Sequence, residues 1–263
     1  MSSLQINNLF SIKDKTVLVT GGSRGIGLMI AETFVENGAK VYISSRKAAV
    51  CEAVAEALSQ KGICIAVPAD LSTEEGRNTL VSKLNADEDS LDVLINNAGA
   101  NWGAPFEDYP ESGYDKVMDL NVKSIFFLTK ELLPLLMKSA SLETPARIIN
   151  VGSIDGIRVS TMDNSAYGVS KAAVHHLTKI LAIKMAGKGI TVNAIAPGPF
   201  PSKMTESMLN TFQQHVEKAN PMRRIGVPGD MGGIAVFLAS AAGSFLNGTV
   251  IPVDGGMHLN AIM

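Results

Sequence analysis

Only two of the 263 residues are cysteines, Cys51 and Cys64, and they form neither a CxxC pair nor part of a ligand cluster. That scarcity excludes a disulfide-stapled scaffold and a structural zinc site, and it makes a reducing compartment the default. Aromatic residues reach 5% and charged residues 18%. The 23 basic side chains nearly cancel the 25 acidic ones and are scattered along the chain. Neither nucleic acid nor an anionic membrane surface is therefore expected as a partner. Long hydrophobic runs are absent too: the most apolar stretch, residues 234–246, is short and rich in small side chains. The first fifteen residues lack the basic region and unbroken apolar segment of a secretion signal. The expectation is a soluble cytoplasmic protein.

Apolar residues are plentiful, at 46%, enough for a sizeable core. Short β-branched runs alternate with helical-period segments throughout. Residues 16–20, 40–45, 63–67, 91–96, 146–152, 190–196 and 249–254 read as strands, most of them apolar nearly throughout, as strands covered on both faces are. Residues 26–37 place Ile26, Ile30, Phe34 and Val35 on one helical face and stop at Asn37-Gly38, a C-terminal cap signal. Ser72 to Glu75 has capping-box spacing, and residues 114–138 form a long helix interrupted or bent at Pro134. This alternation predicts an α/β fold, a single-domain doubly wound Rossmann layer structure with a roughly seven-stranded parallel sheet. Residues 1–11 read as an N-terminal arm, 12–263 as one Rossmann-type domain, and about 199–226 as a lid with Met204, Met208, Leu209 and Phe212 as its apolar face.

Thr20-Gly21-Gly22-Ser23-Arg24-Gly25-Ile26-Gly27 joins the first strand to the first long helix. Glycines there let the backbone turn tightly and approach a pyrophosphate at the positive end of the helix. The second strand ends Ser44-Ser45-Arg46, with no acid before Glu52 to hold a ribose 2′-hydroxyl. Arg46 and Arg24 are suited instead to a 2′-phosphate, so NADPH/NADP+ is the expected cofactor.

The chain resembles the classical short-chain dehydrogenase/reductase family. The resemblance rests on the TGxxxGxG loop at Thr20–Gly27, the NNAG motif at Asn96–Gly99, Ser153 at a strand end, the YxxxK pair Tyr167 and Lys171, and the Pro197-Gly198 turn, and it runs from about residue 12 to 256. Within that family, APGPFPSKM and NNAGANWGAP are most similar to NADPH-dependent β-ketoacyl reductases acting on acyl carrier protein, of the rhamnolipid-synthesis type.

The resemblance implies reduction of a carbonyl to a secondary alcohol with Asn121, Ser153, Tyr167 and Lys171 as the catalytic set. Tyr167 is the general acid, Ser153 donates to the developing oxyanion, and Asn121 organises a water-linked proton path to the lysine. A spacing of four puts Tyr167 and Lys171 on one helical face. An ammonium there is expected to lower the phenol's pKa from near 10; three units of lowering corresponds to about 4 kcal/mol. The resemblance also implies that Lys171 holds the nicotinamide ribose. By the same resemblance Asp70 and Leu71 face the adenine, and Asn97, Ala98 and Gly99 wall the adenosine ribose. Pro197, Gly198, Phe200 and Ser202 meet the carboxamide. Ser202 replaces the commoner threonine, and the Ser153-to-Tyr167 interval is slightly long. The expected substrate is a small-molecule carbonyl compound, a 3-oxoacyl thioester on acyl carrier protein or coenzyme A. Alternatives are a small free ketone, diketone or polyol and, in a different class, a non-catalytic NADP(H)-binding module. A homotetramer is implied, or else a dimer. His175 and His176 read as surface or subunit-interface residues, no metal site is expected, and Trp102 borders either the pocket or a wall of the fold.

Overall fold

The computed structural model describes residues 4–203 and 206–259, without the side chains of 206–210. Met204 and the side chains of Met208 and Leu209, expected on the lid, lie outside the described residues. The strands are β1 (Thr16–Thr20), β2 (Lys40–Ser44), β3 (Ile63–Ala66), β4 (Val93–Asn96), β5 (Ala146–Val151), β6 (Ile190–Pro197) and β7 (Val250–Val253). They form one parallel sheet in the order β3-β2-β1-β4-β5-β6-β7, as the alternation of runs predicts. The chain winds outward from β1 to β3, then returns to the other side of β1 with β4. That reversal leaves a crevice at the carboxyl ends of β1 and β4, where ligands bind in open α/β sheets.

The helices are α1 (Ile6–Leu9), α2 (Gly25–Glu36), α3 (Ala48–Ser59), α4 (Glu74–Asp87), α5 (Glu111–Met118), α6 (Ser124–Ser139), α7 (Ser165–Ala186), α8 (Glu206–Ala219) and α9 (Pro228–Ala239). Alternate residues of each strand face opposite layers. Val17 and Val19 pack with Ile30, Phe34 and Leu238 on the α2/α9 side, while Leu18 packs with Leu80, Leu128 and Leu132 on the α4/α6 side. Each fully buried Leu or Ile contributes about 1.5–3 kcal/mol, and these two layers hold the crevice walls rigid. Phe10, just after α1, lies against Phe237 with ring centroids 6.2 Å apart.

Three local expectations are corrected. The cap of α4 is Thr73, not Ser72: Thr73 Oγ1 accepts from Gly76 N at 3.0 Å. With glycine at the third helical position no acid reaches back, so there is no capping box. Ser72 instead donates to Asp70. The long helix runs through Pro134, and its departure from α geometry is a π turn at Asp119–Lys123. His175 is not at the surface; it is 7% exposed, beneath the loop after β5.

Candidate active site

The loops leaving β1 and β4 are stitched together at the switch point. Thr20 Oγ1 accepts from Asn97 N at 2.9 Å and Ala98 N at 3.0 Å while donating to Ile95 O. Asn97 Nδ2 donates to Thr20 O at 2.9 Å and Gly21 O at 3.2 Å. Gly21 has φ +67°, which an L side chain rarely adopts. The loop after β6 closes the ring, for a side-chain carbon at Gly25 would stand 2.9 Å from Ser202 Cβ.

A cleft of about 700 Å³ runs from this ring to the end of β5, within the range of ligand pockets. Its near wall contains Gly21, Ser23, Arg24, Gly25 and Ile26 at the start of α2, then Ser45 and Arg46 after β2. The cap position of α2 is Arg24, whose side chain caps nothing, so the first N–H groups of the helix are left for an anion. Arg24 and Arg46 are exposed and make no ion pair among the described residues. Ser44 Oγ is fully buried on this wall with no hydrogen-bond partner. Two uncommitted guanidinium groups, an orphaned hydroxyl and a bare helix N-terminus fit the phosphorylated ribose and pyrophosphate of NADP. Leu71, Asn97, Ala98 and Gly99 continue the wall, and Pro197, Gly198, Phe200 and Ser202 lie across from them.

At the far end stand Ser153, Tyr167 and Lys171. Ser153 leaves β5 into a single 3₁₀ turn, Ile154–Gly156, and its Oγ accepts from Asp155 N at 3.1 Å. The Tyr167 hydroxyl hydrogen-bonds Ser153. One turn along α7, Lys171 Nζ donates to Val151 O at 2.8 Å and lies 5.5 Å from the centre of the Tyr167 ring. The expected lowering of the tyrosine pKa is not found. Burial pushes the phenol up to about 12, Ser153 offsets this in part, and Asp155 adds to it. Burial likewise brings Lys171 down to about 8. The reason is that both groups are dehydrated and the ammonium is committed to a backbone carbonyl rather than to the phenol oxygen. Tyr167 is thereby held as a proton donor.

Some predicted residues lie off the cleft wall. Asn121, in the π turn, is fully buried; its Oδ1 accepts from Ala100 N at 2.7 Å, and its Nδ2 donates to Ala100 O and Ser170 Oγ, each at 2.9 Å. It ties the β4 loop to α7, since Ser170 in turn donates to Tyr167 O. Gly99 keeps the lysine nearby: a carbon added there would stand 3.3 Å from Asn121 Oδ1 and 3.8 Å from Lys171 Nζ. Gly27 lies behind the loop, where an added carbon would meet Gly21 O at 2.3 Å. Asp70 is absorbed by Ser72, accepting from its N–H at 3.1 Å and its hydroxyl at 2.7 Å. Trp102 packs on Gly113 and Lys116 of α5, so it is a wall of the fold rather than of the cleft. Lining residues that motif reading passed over include Ser44, Lys47, Val50, Leu120, Val151, Gly152 and Lys203. Ser44, Lys47, Val151, Gly152 and Lys203 adjoin motif residues that follow strands and Leu120 adjoins Asn121 in the π turn, whereas Val50, inside α3, carries no such signal.

Residues 21–258 match a protein family described as enoyl-(acyl carrier protein) reductase. The chain is 50% identical to the rhamnolipids biosynthesis 3-oxoacyl-[acyl-carrier-protein] reductase of Pseudomonas aeruginosa, over 95% of this chain and 98% of the relative. It is 32% identical to 5-keto-D-gluconate 5-reductase of Escherichia coli, over 96% and 98%. The solved Pseudomonas aeruginosa RhlG/NADP active-site complex superposes with a TM-score of 0.93 at 49% identity, covering 95% of this chain and 99% of that one.

Proposed function

This chain belongs to the short-chain dehydrogenase/reductase family, and from that premise we propose that it reduces the ketone of a 3-oxoacyl thioester to a secondary alcohol with NADPH. The observation that carries the reading is the wall formed by Ser153, Tyr167 and Lys171 at the far end of a cleft that begins at a glycine loop. The half-identical relative named as a 3-oxoacyl reductase supports the substrate class, and the RhlG/NADP complex supports the cofactor.

NADPH, when bound, supplies the hydride that reduces the carbonyl carbon. Arg24 and Arg46 would hold its 2′-phosphate, and the N-terminus of α2 its pyrophosphate. Lys171 would hold the nicotinamide ribose, while Ser202 and the Pro197-Gly198 turn would orient the carboxamide. Ser153 hydrogen-bonds the substrate carbonyl oxygen and polarises it. Tyr167, protonated at any physiological pH, transfers its proton to that oxygen as negative charge develops there. Asn121 acts through Ala100 and Ser170, tying the β4 loop to the helix that carries Tyr167 and Lys171; its part in a proton path to Lys171 belongs to this proposal.

The sugar-acid relative favours a second reading, a reductase of a small hydroxylated ketone, because the same hydroxyl pair polarises any ketone. A non-catalytic cofactor module would have no use for a tyrosine hydrogen-bonded to Ser153. The reading extends to a substrate carried on acyl carrier protein or coenzyme A, a cytoplasmic location and a homotetramer, with a dimer as the smaller alternative. No helix among the described residues is long and apolar enough to cross a membrane.

The test is the initial rate of NADPH consumption with a 3-oxoacyl thioester, beside Tyr167→Phe. Turnover that falls at least 100-fold in the variant, a loss in the range of a removed general acid, supports the reading. Tight NADPH binding without thioester turnover, but with turnover of 5-ketogluconate, would transfer the assignment to the small-ketone reading.

A further inference from the structure

We propose that His175 is a positioning residue that sets the Ser153 turn, its imidazole filling the space left by the missing side chain at Gly152 and lying against Gly156. The inference rests on the catalytic reading of Ser153 above. Tyr167, Lys171 and His175 follow one another at intervals of four along α7, so one helical face carries all three. Lys171 faces the cleft, and His175, one turn deeper, faces the backbone that leaves β5. A side-chain carbon at Gly152 would stand 2.1 Å from His175 Nε2; one at Gly156 would meet the α7 backbone first, Lys171 C at 2.6 Å and Ala172 N at 2.8 Å, with His175 Cε1 also at 2.8 Å. Real carbons essentially never approach so closely, so Gly152 cannot bear a side chain while the ring is there, and Gly156 can bear one against neither the ring nor the α7 backbone. The two glycines bracket Ser153, and they have ordinary backbone angles, which leaves close approach rather than turn geometry as the reason for them.

The ring is more than nine-tenths buried and its Nε2 has no hydrogen-bond partner. The ring meets the Gly156 backbone, while Lys171 and Lys179 are the charges that act on it. Burial holds its pKa below the usual histidine value; a hydrogen bond to the Gly156 backbone opposes this, and the Lys171 and Lys179 ammonium groups add to it. A neutral imidazole in a dry space is a wedge: it fixes where the 152–156 backbone can lie, and with it the Ser153 hydroxyl that aims at the substrate oxygen.

The test is a double-mutant cycle on the full-length enzyme, with NADPH binding, 3-oxoacyl thioester turnover and thermal unfolding read for each protein. Gly152→Ala should lower kcat about 100-fold, the scale of an ångström-sized misplacement of a catalytic group, with NADPH affinity unchanged within threefold. His175→Ala should lower kcat about tenfold with little change in thioester KM. The double variant should recover at least tenfold in kcat over Gly152→Ala and unfold at a higher temperature than it, because the added methyl then occupies the vacated space. A double variant no better than Gly152→Ala in either readout overturns the proposal. Wild-type enzyme inactive on the thioester would overturn the substrate reading instead, and the unfolding-temperature cycle would still decide the wedge.

Discussion

At Lys171, activity and stability pull in opposite directions. The ammonium is 4% exposed, and burial lowers its pKa from 10.5 in the unfolded chain to about 8. Below pH 8 both states are protonated and the full penalty of burying the charge opposes folding. Between pH 8 and 10.5 the folded state sheds the proton first, so stability rises with pH across that window. The penalty is about 3 kcal/mol at 1.36 kcal/mol per unit, offset by about 1–1.5 kcal/mol from the bond to Val151 O. Lys171→Met is therefore expected to unfold at higher urea than the wild type at pH 7, by about 1–2 kcal/mol, with the gap closing at pH 10. Its kcat should fall by more than 100-fold. A variant that loses stability at pH 7 would show that the lysine is held by attractions stronger than its dehydration. Tyr167 sets a companion expectation. Its pKa of about 12 keeps it protonated, so the alkaline limb of the reduction rate is expected near pH 8, where Lys171 loses its charge. A rate flat to pH 10 would remove the lysine charge from the mechanism.

Cofactor choice is decided one level up, at the junction of β2 and α3. The strand delivers Ser44, Ser45 and Arg46 to the cleft in succession and offers no carboxylate among them. Arg46→Asp should lower the NADPH-to-NADH ratio of kcat/KM by about 100-fold, since it removes a charge-assisted contact of about 1.5–3 kcal/mol and supplies the acceptor that an NAD ribose uses. An unchanged ratio would place the 2′-phosphate on Arg24 alone. This junction was legible in the sequence because it is local: a strand, its last residues and the side chains they must present. The seven strands were legible for a similar reason, since burial on both faces writes an unbroken apolar run. The π turn at Asp119–Lys123 was not, because an i to i+5 bond leaves no residue signature in Leu120-Asn121-Val122. The position of His175 was hidden too, since the glycines that make room for it lie two elements away. The phenol of Tyr167 was misjudged because dehydration, unlike spacing, exists only once the whole wall has been assembled.

For the whole molecule, the other face of α7 remains to be accounted for. Val169, Ala172, His176, Ile180 and Ile183 recur at intervals of three and four and are all exposed, Ile183 at 82%. Phe126 and Met137 of α6 are exposed as well. An apolar stripe of this kind is usually a core-facing face, and here it faces outward from the helix that carries Tyr167 and Lys171. Burial against a second copy would remove that surface from water and, through the same helix, hold the catalytic face still. The proposed tetramer or dimer therefore predicts that Ile180→Glu/Ile183→Glu shifts the mass in light scattering from a multiple of the 27.8 kDa chain toward a single copy. Each buried glutamate would carry a charge into an apolar seam. If α7 is stiffened by the contact, the dissociated protein should keep its NADPH affinity and lose kcat together with unfolding temperature. A wild type already at 27.8 kDa would leave the stripe to another partner, and a dissociated variant with full kcat would show that the catalytic face of α7 is held from within its own fold, by Asn121, Ser170 and the sheet beneath it.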